Sequence, residues 1–211
     1  MTAREAIFQR IHDALGAAVQ DPAASYAQVP RDYSTTTGLT HEHVLEFFLD
    51  RLIDYDTEVI QVKAEAEIAA AIAQALHNAG ETRALAAAEF PSAWLPPGFQ
   101  VQLDGGLSVP QIEAAQAVIT TCETGVATTG TIILVHEGSQ ARRVLTLLPD
   151  HHICVVRRDQ VVGTVPESIA ALATKRPITT ISGPSATSDI EMTRIRGVHG
   201  PRHLTVVLYG E

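Results

Sequence analysis

Only two cysteines, Cys122 and Cys154, occur in the 211 residues, and they stand far apart. Zinc and iron–sulfur sites need clustered thiolates, so this chain is not expected to hold such a group alone; buried thiols are the plain reading. A disulfide between them is open in principle but runs against a reducing cytosol. Long apolar runs are missing too. None approaches the roughly 18 residues that span a bilayer, so no membrane span is expected. The first residues, MTAREAIFQRIHDALG, interrupt their apolar positions with charges and do not read as a signal peptide. Cytoplasmic location follows as the default. Basic residues are in short supply: 15 Lys and Arg against 24 Asp and Glu give a net charge of −9, which argues against a nucleic-acid partner.

Hydrophobic residues, at 45% of the chain, are enough for a substantial core and exclude a disordered chain. The charge is unevenly spread. Residues 1–141 carry 18 acidic and 6 basic side chains, whereas residues 142–202 carry 5 and 9. The C-terminal third is therefore locally basic, as solvated arginines or a small-anion pocket would make it.

Ala3, Ile7, Ile11 and Leu15, spaced by four and ended by Gly16, predict an amphipathic helix. Pro22, Pro30 and the Ser34–Gly38 tract then predict a linker, so that residues 1–40 form a helix with a tether and residues 41–211 a single α/β domain. Thr40 can cap a helix over about 41–52. From there strand and helix patterns alternate. Strands are expected at 58–62, 83–87, 99–103, 131–136, 152–157, 178–181 and 204–208. Helices are expected at 64–78 and 166–174 and a helix or helical turn at 139–148, with 110–120 passing from helix into strand and 123–130 forming a turn-rich loop. This rhythm predicts a mostly parallel sheet flanked by helices.

The chemistry concentrates in two glycine-punctuated bends. In the first, Gly130 would let the backbone approach a ligand while Thr129 and Thr131 offer hydroxyls, an anion cradle without a P-loop lysine; a tight loop entering a strand explains the same residues. In the second, Gly183-Pro184 ends a strand and Ser188-x-x-Glu191 reads as a capping box, exposing backbone N–H groups beside Ser185, Thr187 and Ser188, with Ser182 and Gly183 as further ligand candidates. Asp189 sits in the first turn of that expected helix, and Glu191 serves either its cap or the pocket. His199, between Gly197 and Gly200, is a candidate acid–base or a loop hydrogen-bonder. Arg202 suits either a bound carboxylate or an internal salt bridge. His151-His152, with His136 upstream, raises a metal site, but neighbours on a strand face opposite ways, and no metal ligand is assigned. Arg142-Arg143 and Arg157-Arg158 read as surface charges or partner contacts.

Four motifs together carry a resemblance. Thr129-Gly130-Thr131-Ile132, Leu147-Leu148-Pro149-x-His151-His152-Ile153, Ile181-Ser182-Gly183-Pro184-Ser185-x-Thr187-x-Asp189-Ile190-Glu191 and Gly197-Val198-His199-Gly200-Pro201-Arg202 occur in the order and spacing of the LUD-domain family. The match runs from about residue 115 to 210. It implies the fold shared by ribose-phosphate isomerase, glucosamine-phosphate deaminase, coenzyme A transferases and methenyltetrahydrofolate synthetase. It further implies a role in oxidising L-lactate to pyruvate beside iron–sulfur proteins, with the clusters on those partners and no cofactor on this chain. On that reading the chain is a non-redox subunit binding a small anionic ligand. A stand-alone transferase or isomerase-like enzyme acting on a coenzyme A thioester, sugar phosphate or folate-like substrate is the alternative, with Glu123, Asp189, Glu191 and His199 as its catalytic candidates. Where the family often has an acidic residue before Thr-Gly-Thr, this chain has Thr128; either the family activity is lost or Glu123, five residues upstream, substitutes. Association into a homo-oligomer stays open.

Overall fold

Local hydrogen bonding starts and stops the first helices. In a computed structural model that describes residues 2–16, 21–172, 177–187, 195–196 and 200–211, the chain forms two compact units, Met1–Ser34 and Thr35–Glu211. The first contains α1 (Ala3–Leu15), opened by a reciprocal capping box: the Thr2 hydroxyl accepts from the Glu5 N–H, and the Glu5 carboxylate accepts from the Thr2 N–H at 2.7 Å. Gly16, at φ 69°, closes it. The expected tether is partly helical. Asp21 caps and Pro22 begins a short α2 (Pro22–Ala27), a start signal that the surrounding prolines obscure in the sequence.

In the second unit α3 (His41–Asp54), capped by Thr40, leads into β1 (Glu58–Val62). The expected helix over 64–78 begins as a 3₁₀ turn, because the Glu67 carboxylate accepts from the N–H groups of Lys63 and Ala64; it continues as α4 (Ile68–Asn78). Then come β2 (Arg83–Ala86), β3 (Gln100–Leu103), α5 (Val109–Glu113) and β4 (Ala117–Thr121). Residues 123–130 differ from expectation: β5 (Thr124–Val126) pairs antiparallel with β6 (Thr131–Leu134) through a 3₁₀ turn that ends at Gly130. Of the helix or helical turn expected over 139–148, the turn is found: two 3₁₀ turns split at Ala141, which takes φ 63°. Side chains hold the break open. Gln140 accepts from the Val135 N–H and donates to Glu123, and Arg142 grips the Asp104 carboxylate at 2.6 and 2.9 Å. Completing the unit are β7 (His151–Arg157), β8 (Val161–Val162), α6 (Val165–Ala171), β9 (Thr179–Ile181), β10 (Ala186–Thr187), β11 (Ile195–Arg196) and β12 (His203–Tyr209).

Six strands in the order β1-β12-β7-β4-β2-β3 make one all-parallel sheet. Such a sheet needs both faces covered, and its inner strands β12, β7, β4 and β2 are accordingly buried over most of their length, while the edge strands β1 and β3 are more polar and exposed. On one face α4, Phe90, Trp94 and Leu145 pack with Ile153, Val155 and Val207. On the other, α3 and a smaller sheet of order β8-β5-β6-β9 pack with Cys154, Val156, Leu204, Val206 and Leu208. The mixed α/β architecture with a parallel sheet flanked by helices is the one expected. Among the described residues no helix is long and apolar enough to cross a membrane.

Three glycines set the distance between α3 and the small sheet. A Cβ on Gly125 would lie 2.9 Å from the Phe48 ring, one on Gly130 would lie 2.7 Å from Arg51 Cβ, and one on Gly183 would lie 2.6 Å from Tyr55 Cβ. Gly130 and Gly183 also hold φ of 56° and 83°, where any other residue is strained. The space beside Gly130 is thus filled by a helix. Gly130→Ala and Gly183→Ala should each destabilise the fold by more than about 1 kcal/mol, read as a lower urea midpoint with unchanged slope. A midpoint equal to that of the parent would show that α3 can move aside.

Candidate functional site

A cavity of about 240 Å³ opens between β9 and the amino ends of β7 and β12. Open α/β sheets usually carry ligands beyond the carboxyl ends of their strands, so this location is the reverse of the common one. One wall is continuous chain from Thr179 to Ala186; the other is made by Arg143, Thr146, Leu147 and His152, with Gly200, Pro201 and Leu204 at the base. The Ser185 N–H donates to the Pro201 carbonyl at 2.8 Å, tying the two loops that frame the opening.

The pleat of β7 separates the adjacent histidines. His152 faces the cavity side, where its Nε2 lies 2.8 Å from the Thr120 hydroxyl. His151 faces the other side, with Nδ1 2.9 Å from Glu81 and Nε2 2.9 Å from the Thr205 hydroxyl, which in turn donates to Glu58. Both rings are buried. Among the described residues no group of three or more His, Cys, Asp or Glu is placed to hold a metal ion.

Burial holds the His152 imidazole down at about 3, with repulsion from His151 and His136 adding to the effect. At neutral pH His152 is therefore an uncharged wall of the cavity. Arg143 is the one cationic side chain among the described lining residues, and it makes no ion pair with a described carboxylate. Its neighbour Arg142 is consumed by Asp104, whose carboxyl that guanidinium holds below its ordinary range. Thr180 and Ser182 complete a polar, singly positive lining. Such a lining suits a small monoanion.

The two bends read from the sequence meet. The Thr131 and Ser182 hydroxyls are 2.8 Å apart, and Thr131 also donates to the Thr129 hydroxyl at 2.7 Å. Ser182, Gly183 and Ser185 line the cavity, while Thr129, Gly130 and Thr131 stand behind it against α3. Thr187 lies in β10, next to the lining residue Ala186. Glu123 is exposed and engaged by Gln140, apart from the cavity lining. Arg202 forms a bidentate salt bridge with Asp150 at 2.6 and 2.7 Å, leaving the internal-bridge reading of that residue. Ser188, Asp189, Glu191 and His199, and the helix expected from Ser188, lie outside the described residues. Sequence reasoning missed Arg143, His152 and Thr179 as cavity residues. Only the basic balance of residues 142–202 hinted at Arg143, since the turn that presents it depends on Asp104, far away in the chain.

The depressed pKa of His152 has a thermodynamic sign. Between about pH 6.5 and pH 3 the unfolded chain binds a proton that the folded one refuses, so folding stability falls as the pH drops through that window. Above about pH 6.5 this group contributes no pH dependence. His152→Gln, which keeps a partner for Thr120, should flatten the fall in stability between pH 6.5 and 4 by up to about 1.4 kcal/mol per pH unit. Chemical denaturation across that range measures it, and an unchanged slope would assign the effect elsewhere.

Comparison with known proteins bears on the fold and the family. The family model described as LUD domain matches residues 42–209. A protein from Deinococcus radiodurans named Lactate utilization protein C is 45% identical over 193 residues, covering 89% of this chain and 90% of that one. One of the same name from an Exiguobacterium species is 28% identical over 224 residues, covering 99% and 96%. A crystal structure of a DUF162 family protein from Deinococcus radiodurans matches with a TM-score of 0.71 at 42% identity, covering 82% of this chain and 99% of that chain. The motifs, the parallel sheet and these relatives converge, and the chain belongs to the LUD domain family.

Proposed function

We propose that this chain is a non-redox component of lactate utilisation, binding a small anionic organic acid in the cavity while iron–sulfur partner proteins in the cytoplasm carry the electrons of L-lactate oxidation to pyruvate. The names borne by its relatives support the pathway. The observation that carries the ligand class is Arg143: one cation without an ion-pair partner among the described residues, set among hydroxyls and an uncharged histidine. A monocarboxylate matches that single charge with a two-pronged hydrogen bond. The cysteines support placing the clusters on partners. Cys122 and Cys154 are both buried, and the Cys122 thiol is pushed well up by hydrogen bonding with Cys154 and by burial, away from the thiolate that metal ligation needs.

Titration calorimetry with L-lactate and pyruvate should give saturable binding that Arg143→Ala weakens at least about tenfold, the loss of one charge-assisted hydrogen bond. Absence of binding by any small carboxylate would remove the ligand assignment. In the source cell, loss of the chain should stop growth on L-lactate as sole carbon source, whereas the purified chain alone should not reduce dyes with lactate. Normal growth, or dye reduction without partners, would remove the pathway role or its non-redox character.

A further inference from the structure

One wall of the cavity carries a pair of groups that anion binding leaves unused. The Thr179 hydroxyl lies 2.6 Å from His136 Nε2, and His136 Nδ1 lies 2.9 Å from the carbonyl oxygen of Ala141. A carbonyl oxygen only accepts, so these partners assign the ring hydrogen to Nδ1; in the neutral ring Nε2 is then the lone-pair nitrogen, and the Thr179 O–H donates to it. Hydroxyl, imidazole within hydrogen-bond reach and a third group orienting the imidazole form the arrangement of an activated nucleophile. Thr179 lines the cavity and His136 stands behind it.

The backbone supports this placement at a cost in strain. His136 holds φ 59°, and Ala141 holds φ 63° with ψ 153°, a region otherwise left to glycine. The hydrogen bond between His136 and Ala141 joins these two strained residues. Strain of this kind persists where the surroundings fix one geometry. Here the surroundings are Gln140, bonded to the Val135 N–H and to Glu123, and Arg142, bonded to Asp104.

We infer that Thr179 is a nucleophilic hydroxyl with His136 as its base, and that the cavity performs acyl transfer on a small activated carboxylic acid such as a thioester. This rests on the small-acid reading of the cavity. Phosphoryl transfer fits less well, because its several negative oxygens call for more positive charge than the single guanidinium of Arg143 supplies. In the step, Thr179 Oγ bonds to the acyl carbon as its proton passes to His136 Nε2. The bond from that carbon to the leaving group breaks, and the leaving group takes the electron pair and then the proton from His136. An acceptor alcohol, thiol or water reverses the sequence and frees the threonine.

The full chain treated with p-nitrophenyl acetate should release a burst of p-nitrophenolate approaching one equivalent, with the acetyl group located on Thr179 by peptide mass spectrometry. Thr179→Ser should keep the burst and its location, and Thr179→Val should abolish it. His136→Asn, which tolerates the positive φ and keeps a hydrogen bond but cannot take the proton, should slow it by roughly 100-fold. His136→Gly should be equally slow and regain the burst with added imidazole, a rescue that a merely structural role would not give. Acetyl groups found only at other residues, or an unchanged burst in His136→Asn, would overturn the assignment. If L-lactate and acetate fail to slow a burst that still depends on Thr179 and His136, the small-acid reading of the cavity falls and the nucleophile stands. If they bind and no Thr179 adduct forms, the nucleophile falls and the binding site stands.

Discussion

The approach of α3 to the smaller sheet, with hydrogen atoms where other residues would carry side chains, is the constraint from which the rest of this architecture follows. Phe48 and Leu52 are fully buried between that helix, β6, β8 and the second face of the parallel sheet. Burial of side chains of this size is worth about 1.5–3 kcal/mol each, and it is available only if the layers close to that distance. Gly125 and Gly130 permit the closure at two points along the helix, opposite Phe48 and Arg51, and Gly183 permits it at the C-cap, opposite Tyr55. With the small sheet fixed in this way, β9 comes to lie over the amino ends of β7 and β12. The space between them is the cavity.

The parallel sheet makes a second contribution through its alternation. Neighbouring residues of β7 serve opposite faces, so His151 joins a polar chain with Glu81, Thr205 and Glu58 while His152, one residue on, becomes an uncharged wall of the cavity. In each case the ring has a hydroxyl partner on an adjacent strand: Thr205 on β12 for His151 and Thr120 on β4 for His152. Buried imidazoles are expensive unless hydrogen-bonded, and the β-branched threonines provide that bond without leaving strand geometry.

Much of this was legible in the sequence where a signal was local. Thr40 before the helix, Gly16 after one, and the apolar runs of β1 and β12 gave elements in the right places because caps and periodicity act within a few residues. The two glycine bends touch through the Thr131–Ser182 hydrogen bond, but the Gly130 bend turns toward α3 and only the Gly183 bend lines the cavity, a division that their motifs do not contain. What stayed hidden was set by distant partners. Residues 124–126 read as a loop because Gly125 weakens a strand pattern, and its use became visible only with the Phe48 ring beside it. Residues 139–148 have helical composition, yet Glu123, Asp104 and the Val135 N–H pull their polar side chains apart. The same long-range pairing separated two adjacent arginines into one structural and one cavity-facing residue, a distinction that composition does not contain.

Apart from the Phe48 ring at Gly125 and the Tyr55 Cγ at Gly183, the seat of α3 involves atoms close to the main chain: the Cβ, C and O of Arg51 and the Cβ and O of Tyr55 just past its end. These atoms are common to every residue except glycine. The outer ends of the helix side chains, such as the Arg51 guanidinium paired with Asp54 on the surface, lie beyond the seat and do not set its depth. The outward face of this helix is therefore free to be recoloured with other charges, to suit a different neighbour or solvent, without resizing the chamber beside the small sheet.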